Sequence, residues 1–410
     1  MTQKKKVLFL SESCVLDPNS GAAIEMMGWL NILTARGYDC SSVTMSLFDG
    51  TTEFPMGKDI FPNLDLSQNV GKRLRCFINK VEHNVFYTGT SIGPKVTVSM
   101  VDKFIMAAAE DIRRISPDVV VCYGGRNLIP LLKLARSKGA RTVFYLCNAS
   151  YQQDRREVFD YIDQVVTPSD ALGDLYRDRL GLEGIQTVPN RVQRFFPAKS
   201  LTQKFLLERQ RNGFVTMINP DLSKGGSIFL QVANLLQTRR RPTTFLAVES
   251  RATQEEVEAM INGASQIRNI WWVQRQTNIR AVLARTAVLM VPSIYFEAAG
   301  RVIAEAMLAG IPVLATRNGG IPEQLNGGGT LFDIPAGFSG KNAQYIPTLD
   351  EVAPWADRID ELMMKDAAYV AACKRALTAA DKFAAESVDQ MIVAVIEGAD
   401  VQAEIAEPVA

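Results

Sequence analysis

The chain has 410 residues, 47% of them hydrophobic, with 45 Lys plus Arg against 44 Asp plus Glu, a net charge of +1 and a single histidine. That length and apolar content suit two or more domains with a large core. The near-zero charge removes the electrostatic case for a dedicated nucleic-acid binder, and one histidine excludes any metal site or acid/base scheme built on several.

The N-terminus MTQKKKVLFLSES has a basic start, but only four apolar residues precede Ser11 and Glu12, too few for the apolar region of a signal peptide. No run approaches the ~18 to 20 uncharged apolar residues of a membrane span. The six cysteines, at 14, 40, 76, 122, 147 and 373, form no CxxC pair and read as reduced thiols without disulfides. A cytoplasmic chain is expected. Three basic clusters, Lys4 to Lys6, GKRLRCFINK at 71 to 80 and Arg239 to Arg241, read first as solvated faces. A peripheral contact with anionic lipid at the inner face of the membrane is kept as a second reading.

Residues 4 to 10 (KKKVLFL) predict a buried parallel strand, followed by a Pro/Asn/Ser/Gly loop and an amphipathic helix over 22 to 36 that ends at Gly37. Residues 48 to 100 contain FDGTTEFPMGKDIFPNLD and the basic run. They read as a long irregular insertion, assigned to recognition of an acceptor substrate. His83, in the polar stretch KVEHNVFYTGTS, is expected at the surface. A helix at 101 to 115, strand 118 to 123, helix 127 to 138, strand 141 to 146, helix 155 to 161, strand QVVTPS and helix 170 to 180 follow. This alternation implies a doubly wound parallel sheet with ligand sites beyond the carboxyl ends of its strands.

The segment at 189 to 212, with two prolines and many charges, reads as a linker. A second series follows: strand 214 to 219, helix 226 to 238, strand TTFLAVE, helix 253 to 263, strand NIWWVQ, helix 278 to 285, strand AVLMVPS, helix 299 to 309 and strand PVLAT. The expected architecture is α/β, two Rossmann-like doubly wound domains facing across a cleft where a ligand would bind. The first is placed at 1 to 195 and the second at 196 to 379. A long helix over 367 to 397 is more than the second sheet needs, so its part at 380 to 398 is expected to pack back on the first domain. The acidic tail 399 to 410 is expected to be flexible.

The stretch YFEAAGRVIAEAMLAG at 295 to 310 holds two carboxylates in what otherwise looks like buried helix. A buried carboxylate is costly unless paired or hydrogen-bonded. Glu297 falls in the loop after strand AVLMVPS, and a helix begins near Ala299, with Gly300 keeping its first turn clear. The free N–H groups of such a helix start attract phosphate. Glu305 lies about 9 Å further along the axis at 1.5 Å per residue. Two carboxylates bracketing an anion site suit a nucleotide sugar, in which hexose hydroxyls, diphosphate and ribose hydroxyls follow in order. On spacing alone the alternative stays open, that Glu305 merely pairs with Arg301 and Glu297 is a plain loop carboxylate.

PSIYFEAAGRVIAEAMLAGIPVLATRNGGIPE resembles the signature of retaining GT-B glycosyltransferases of family 4, with its E-x7-E element, the "GxPV" strand and a "GG-x-PE" loop. The resemblance covers nearly the whole chain. The loop with Gly21 looks like the family's N-terminal glycine loop, VTPSDALGDLYRDRLGL with VPN at 188 to 190 like the close of the first domain, and INPDLSKGG at 218 to 226 like the start of the second.

That resemblance implies that Glu297 binds donor-sugar hydroxyls and that backbone groups of Ala298, Ala299 and Gly300 face the sugar and the diphosphate. Glu305 would hold the ribose hydroxyls, and Lys224 would neutralise the departing diphosphate. Many members carry an arginine shortly before that lysine. Here the stretch is Asn219-Pro220-Asp221, which makes Arg301 the candidate for the missing charge. Where relatives often place a histidine near the sugar, this chain has Cys147-Asn148. Asn148 is expected to bond the sugar, and Cys147 to be a packed thiol rather than a nucleophile. Backbone groups from Val273 to Arg275 are candidates for reading the base, while Trp271 and Trp272 are expected in the core.

The implied reaction is front-face hexose transfer with retained configuration, in which the departing phosphate oxygen helps deprotonate the acceptor hydroxyl, with neither histidine nor metal. A UDP- or GDP-sugar is the expected co-substrate, and the acceptor is a saccharide, a lipid-linked or a small molecule. Closure of the two domains around the donor would exclude water. A nucleotide-sugar epimerase on the same fold would want several acid/base groups, which a histidine-poor chain disfavours. The missing arginine and Cys147 motivate another alternative, a nucleotide-sugar-binding protein without activity.

Overall fold

A computed structural model describes residues 4–50, 52–250, 252–261, 263–276, 278–341 and 343–401, so most of the tail expected to be flexible, 402 to 410, lies outside the described residues. The chain divides into two compact units, Met1–Arg191 with Val388–Ala410, and Val192–Ser387.

In chain order the first unit contains β1 (Lys6–Ser13), α1 (Gly21–Ala35), β2 (Asp39–Leu47), the short α2 (Met56–Asp59), β3 (Arg73–Ile78), β4 (Val81–Phe86), α3 (Val98–Ile115), β5 (Val119–Cys122), α4 (Ile129–Ser137), β6 (Arg141–Tyr145), β7 (Gln164–Thr167), α5 (Asp170–Leu180) and β8 (Gln186–Thr187). Its eight-stranded sheet has the order β3-β4-β2-β1-β5-β6-β7-β8. All neighbours run parallel except β3, which is antiparallel to β4. Val7 to Leu10 of β1 are at most 1% exposed, as expected of a central parallel strand covered on both faces. Helices start and stop on local signals: the Thr97 and Ser169 side chains accept the backbone N–H groups of Met100 and Leu172, and α5 ends at Gly181 with φ +61°.

The second unit contains α6 (Gln203–Asn212), β9 (Phe214–Ile218), α7 (Gly226–Thr238), β10 (Phe245–Val248), α8 (Gln254–Met260), β11 (Ile270–Val273), α9 (Ile279–Ala284), β12 (Thr286–Val291), α10 (Arg301–Leu308), β13 (Val313–Thr316), α11 (Ile321–Leu325), β14 (Thr330–Phe332), α12 (Leu349–Met364) and α13 (Asp366–Ala380), with α14 (Ala385–Glu397) following. Its six strands, all parallel, have the order β11-β10-β9-β12-β13-β14. The segment expected as a linker carries α6, whose Arg209 is 4% exposed and donates to the carbonyls of Ala309 and Gly310 just past α10. A guanidinium there satisfies carbonyls that the helix leaves open and opposes the negative end of its dipole.

The helix expected over 367 to 397 is interrupted. A 3-10 turn at Asp381–Phe383 buries Phe383, and Ala384 extends to bridge Val192. From Val388 on the chain belongs to the first unit, where Glu397 accepts from Lys5 and Tyr38 and Asp389 from Arg191.

The region 48 to 100 is not the irregular insertion expected. It holds a β-hairpin whose strands pair from Arg73↔Phe86 to Ile78↔Val81, turning at Asn79 and Lys80 with φ of +52° and +67°. The charges of its edge strand are largely engaged within the unit, Arg73 with Glu110 and Asp111, and Arg75 with Glu82, a usual protection of a sheet edge.

His83, expected at the surface, is fully buried in β4, with Nδ1 2.8 Å from Ser42 Oγ. Its polar neighbours suggested a loop, but the buried Ser and Thr hydroxyls of β2 supply partners for polar groups inside the sheet: Ser46 Oγ lies 2.9 Å from Thr88 Oγ1. Among the described residues no helix is long and apolar enough to cross a membrane.

Burial pulls His83 down to about 4 from its usual 6.5, so the fold holds the neutral ring. Its contribution is complete above pH 6.5 and is lost as the pH falls towards 4, by about 3 kcal/mol at most. Urea unfolding between pH 7 and 4 is expected to show this acid loss in the native protein and a flatter profile in His83→Gln. Identical profiles would contradict the assignment.

Candidate functional site

In the second unit the chain leaves β9 for β10 and β11 on one side, then returns to place β12 on β9's other side. Consecutive loops therefore turn away from each other at the carboxyl ends of β9 and β12, and an open α/β sheet binds ligands at such a switch point. The loop after β9 carries Lys224, and the loop after β12 carries Glu297.

Local chemistry brings these loops together. Asp221 accepts the Ser223 N–H at 2.7 Å and caps a 3-10 turn, Leu222–Lys224. Gly225 follows with φ +82°, and a Cβ there would lie 1.9 Å from the Pro292 carbonyl oxygen, so only glycine allows this approach. The Ser223 carbonyl then accepts from the N–H groups of Ile294 and Tyr295 at 3.2 and 3.0 Å. On the far side, the carbonyl of Glu297 accepts from Gly320 N–H at 2.8 Å. Thr316 Oγ1 donates to the Ser293 carbonyl at 2.6 Å, and the Asn318 amide donates to Ser293 and Tyr295 carbonyls.

Within this frame Lys224 Nζ contacts Glu297 Oε1, and Ser293 Oγ is 3.0 Å from the same oxygen. The Tyr295 ring centroid lies 6.0 Å from Nζ. Gly300, with φ +68°, caps α10, and Nε of Arg301, its first residue, is 3.1 Å from Oε1 of Glu305 one turn on, with Glu305 9% exposed. The Arg301–Glu305 pairing weighed from spacing is therefore present. One ion pair thus precedes the start of α10 and another lies in its first turns, each carboxylate compensated by its own cation, an arrangement suited to a ligand that carries both negative charge and hydroxyls.

Other expected residues surround this centre to different degrees. Asn219 begins the β9 loop with φ +59°, its N–H on the Val248 carbonyl at 2.8 Å. Ala298 leads to Ala299, which is buried. Val273 ends edge strand β11, two strands from β9, with Arg275 just beyond it, and the Val273 carbonyl accepts from Glu249 N–H at 3.0 Å. Trp272 packs against the core as expected, whereas Trp271 is 63% exposed. Alternation along a strand sends the pair to opposite faces.

In the first unit Gly21 opens α1 after β1, and a Cβ there would meet nothing within 4 Å. After β6, Asn148 Oδ1 accepts from the N–H of Ser150 at 3.0 Å and from its hydroxyl, so the amide oxygen serves its own turn. Burial pushes the Cys147 thiol up to about 12, the opposite of what a nucleophile needs. Sequence reasoning passed over Glu12, whose carboxylate spans the switch point between β1 and β5, accepting from Gly125 N–H at 3.2 Å and from the Asn127 amide at 2.6 Å. The glycine pair in CYGGRN was its signal. It also passed over Ser293 and Asn318, whose roles depend on loops distant in sequence. Among the described residues no group of three or more His, Cys, Asp or Glu is placed to hold a metal ion.

Gly225→Ala is expected to cost on the order of 1–3 kcal/mol from the positive φ and the clash with Pro292, whereas Gly21→Ala should leave thermal stability nearly unchanged. Equal melting temperatures for the two variants would contradict the close approach.

Residues 209–364 match the family described as Glycosyl transferases group 1. No curated protein matches the chain in sequence. Among solved structures it is similar to a glycosyltransferase from Rickettsia africae ESF-5, at 15% identity over 97% of this chain and 98% of that one, with a TM-score of 0.68. It is also similar to sucrose-phosphate synthase from Thermosynechococcus elongatus, at 14% identity over 98% and 100% with a TM-score of 0.69. A third similar structure is Anabaena HepE in complex with UDP-glucose, at 16% identity over 96% and 99% with a TM-score of 0.67. The fold expected from the sequence, two Rossmann-like α/β domains of the GT-B type, is the one these proteins share, and the segment bearing Lys224, Glu297, Arg301 and Glu305 lies wholly within the matched glycosyl transferase region.

Proposed function

We propose that the protein is a retaining glycosyltransferase that moves a hexose-type sugar from a nucleotide-sugar donor, a UDP- or GDP-sugar, to a saccharide, lipid-linked or small-molecule acceptor. The observation that carries this reading is the paired set Lys224–Glu297 and Arg301–Glu305 around the start of α10, at the switch point of the second sheet. The glycosyl transferase match over the same residues supports it, as does the likeness to a fold that binds UDP-glucose in HepE. The second unit takes the donor and the first the acceptor.

In this scheme the first N–H groups of α10 and Lys224 receive the diphosphate, and Arg301 supplies the charge that relatives take from an arginine before the lysine. Glu297 accepts from sugar hydroxyls and Glu305 from the ribose. As the bond from the anomeric carbon to the phosphate oxygen breaks, its electron pair stays on that oxygen. The acceptor oxygen bonds to the same face of the carbon, and its proton passes to the departing phosphate. No step calls on a histidine or a metal ion.

A thermal-stability screen of UDP-, GDP- and ADP-sugars tests the reading, followed by assay of slow donor hydrolysis with the sugar that binds. A raised melting temperature with released sugar is expected. Stabilisation without hydrolysis or transfer to any acceptor would favour a binding protein instead. Glu305→Ala should weaken the nucleotide portion about tenfold, in line with the 1.5–3 kcal/mol of a hydrogen bond to a charged group. Glu297→Ala should mainly lower turnover and sugar affinity. Unchanged donor affinity and turnover in both variants would sink the assignment.

A further inference from the structure

The cation expected to hold the diphosphate and the carboxylate expected to hold the sugar touch each other. Lys224 Nζ contacts Glu297 Oε1 in a partly buried setting, with side-chain exposures of 26% and 13%. Solvent screens such a pair less than it would a surface pair. Any phosphate that takes Lys224 must therefore compete with Glu297, and it also brings further negative charge towards that carboxylate.

Resting on the nucleotide-sugar reading above, we propose that Glu297 is a competitor for Lys224 that makes the site discriminate against a bare diphosphate. With an intact nucleotide sugar, the sugar's hydroxyls donate to the Glu297 carboxylate while the phosphates occupy the ammonium. Both members of the pair exchange one partner for another. A nucleoside diphosphate lacking the sugar offers Lys224 a phosphate but offers Glu297 nothing except repulsion, an element set against the wrong ligand. Sugar and diphosphate thus bind cooperatively. Once the sugar has been transferred, Glu297 returns to Lys224 and loosens the nucleoside diphosphate product.

The surroundings fit this exchange. Ser293 Oγ, 3.0 Å from Glu297 Oε1 and 3.1 Å from the Tyr295 carbonyl, gives the carboxylate a donor beside Lys224, and the Ser293 main chain is fixed by Thr316 and Asn318. The Glu297 carbonyl is tied to Gly320 N–H, so the exchange needs side-chain movement alone. For Lys224, the Tyr295 ring at 6.0 Å offers the ammonium a second favourable neighbour.

Isothermal titration of UDP, GDP and inorganic pyrophosphate into the native protein, Glu297→Gln, Lys224→Met and the double variant tests this. Glutamine keeps the shape and the bond to Ser293 but gives up the charge. The expected result is that Glu297→Gln binds the nucleoside diphosphate about tenfold more tightly than the native protein, with the gain absent when Lys224→Met is also present. Equal or weaker binding by Glu297→Gln, with normal binding by the native protein, would overturn the proposal. A gain of the same size in the Lys224→Met background would overturn it as well, because repulsion alone would then account for it. If neither the native protein nor any variant binds a nucleoside diphosphate, the nucleotide-sugar reading itself fails.

Discussion

The contact between Lys224 and Glu297 joins two loops that the sheet order would otherwise let diverge. Strands β9 and β12 are neighbours whose helical connections leave in opposite directions, so the space beyond their carboxyl ends stays open. Only a glycine at 225 lets the β9 loop press against Pro292, and that closeness places an ammonium from one loop on a carboxylate from the other. Thr316, Asn318 and Gly320 then hold the carboxylate's loop from the side of β13.

Helix α10 is held at both ends by opposite means. Its N-terminal end, capped by Gly300, gathers the Arg301–Glu305 pair. Beyond its other end the carbonyls of Ala309 and Gly310 accept from the buried Arg209. An eight-residue helix is too short to be stable alone. Buried packing of Ile303, Ala304, Ala306 and Met307, with a guanidinium opposing the dipole, fixes where its positive end points. The electrostatic device at the site thus depends on an arginine well removed from it in sequence.

Much of this was legible before any coordinates. Runs such as KVLFLSES and TAVLMV are apolar enough to be central parallel strands, and Glu297 and Glu305 fall on either side of a helix start, which lies at Arg301 rather than near Ala299. What was not legible has a common cause, the satisfaction of polar groups by partners far away in the chain. Strand β2, DCSSVTMSL, alternates Val43, Met45 and Leu47 with Ser42, Thr44 and Ser46, yet its polar side is buried too, where the Ser42 and Ser46 hydroxyls bond His83 and Thr88 within the sheet. His83 looked exposed for the same reason. Arg209 looked like one charge among many in a linker until the carbonyls it serves, a hundred residues later, came into view. At the edge strand β11, burial depends on what lies alongside, so Trp271 and Trp272 could not be separated by residue type.

A crystal structure with the nucleotide sugar that most stabilises the protein tests the central claim most directly. Lys224 Nζ should lie on a phosphate oxygen, the Glu297 carboxylate on sugar hydroxyls and the Glu305 carboxylate on the ribose. A nucleotide sugar seated away from the start of α10, with the Lys224–Glu297 pair intact, would contradict the account.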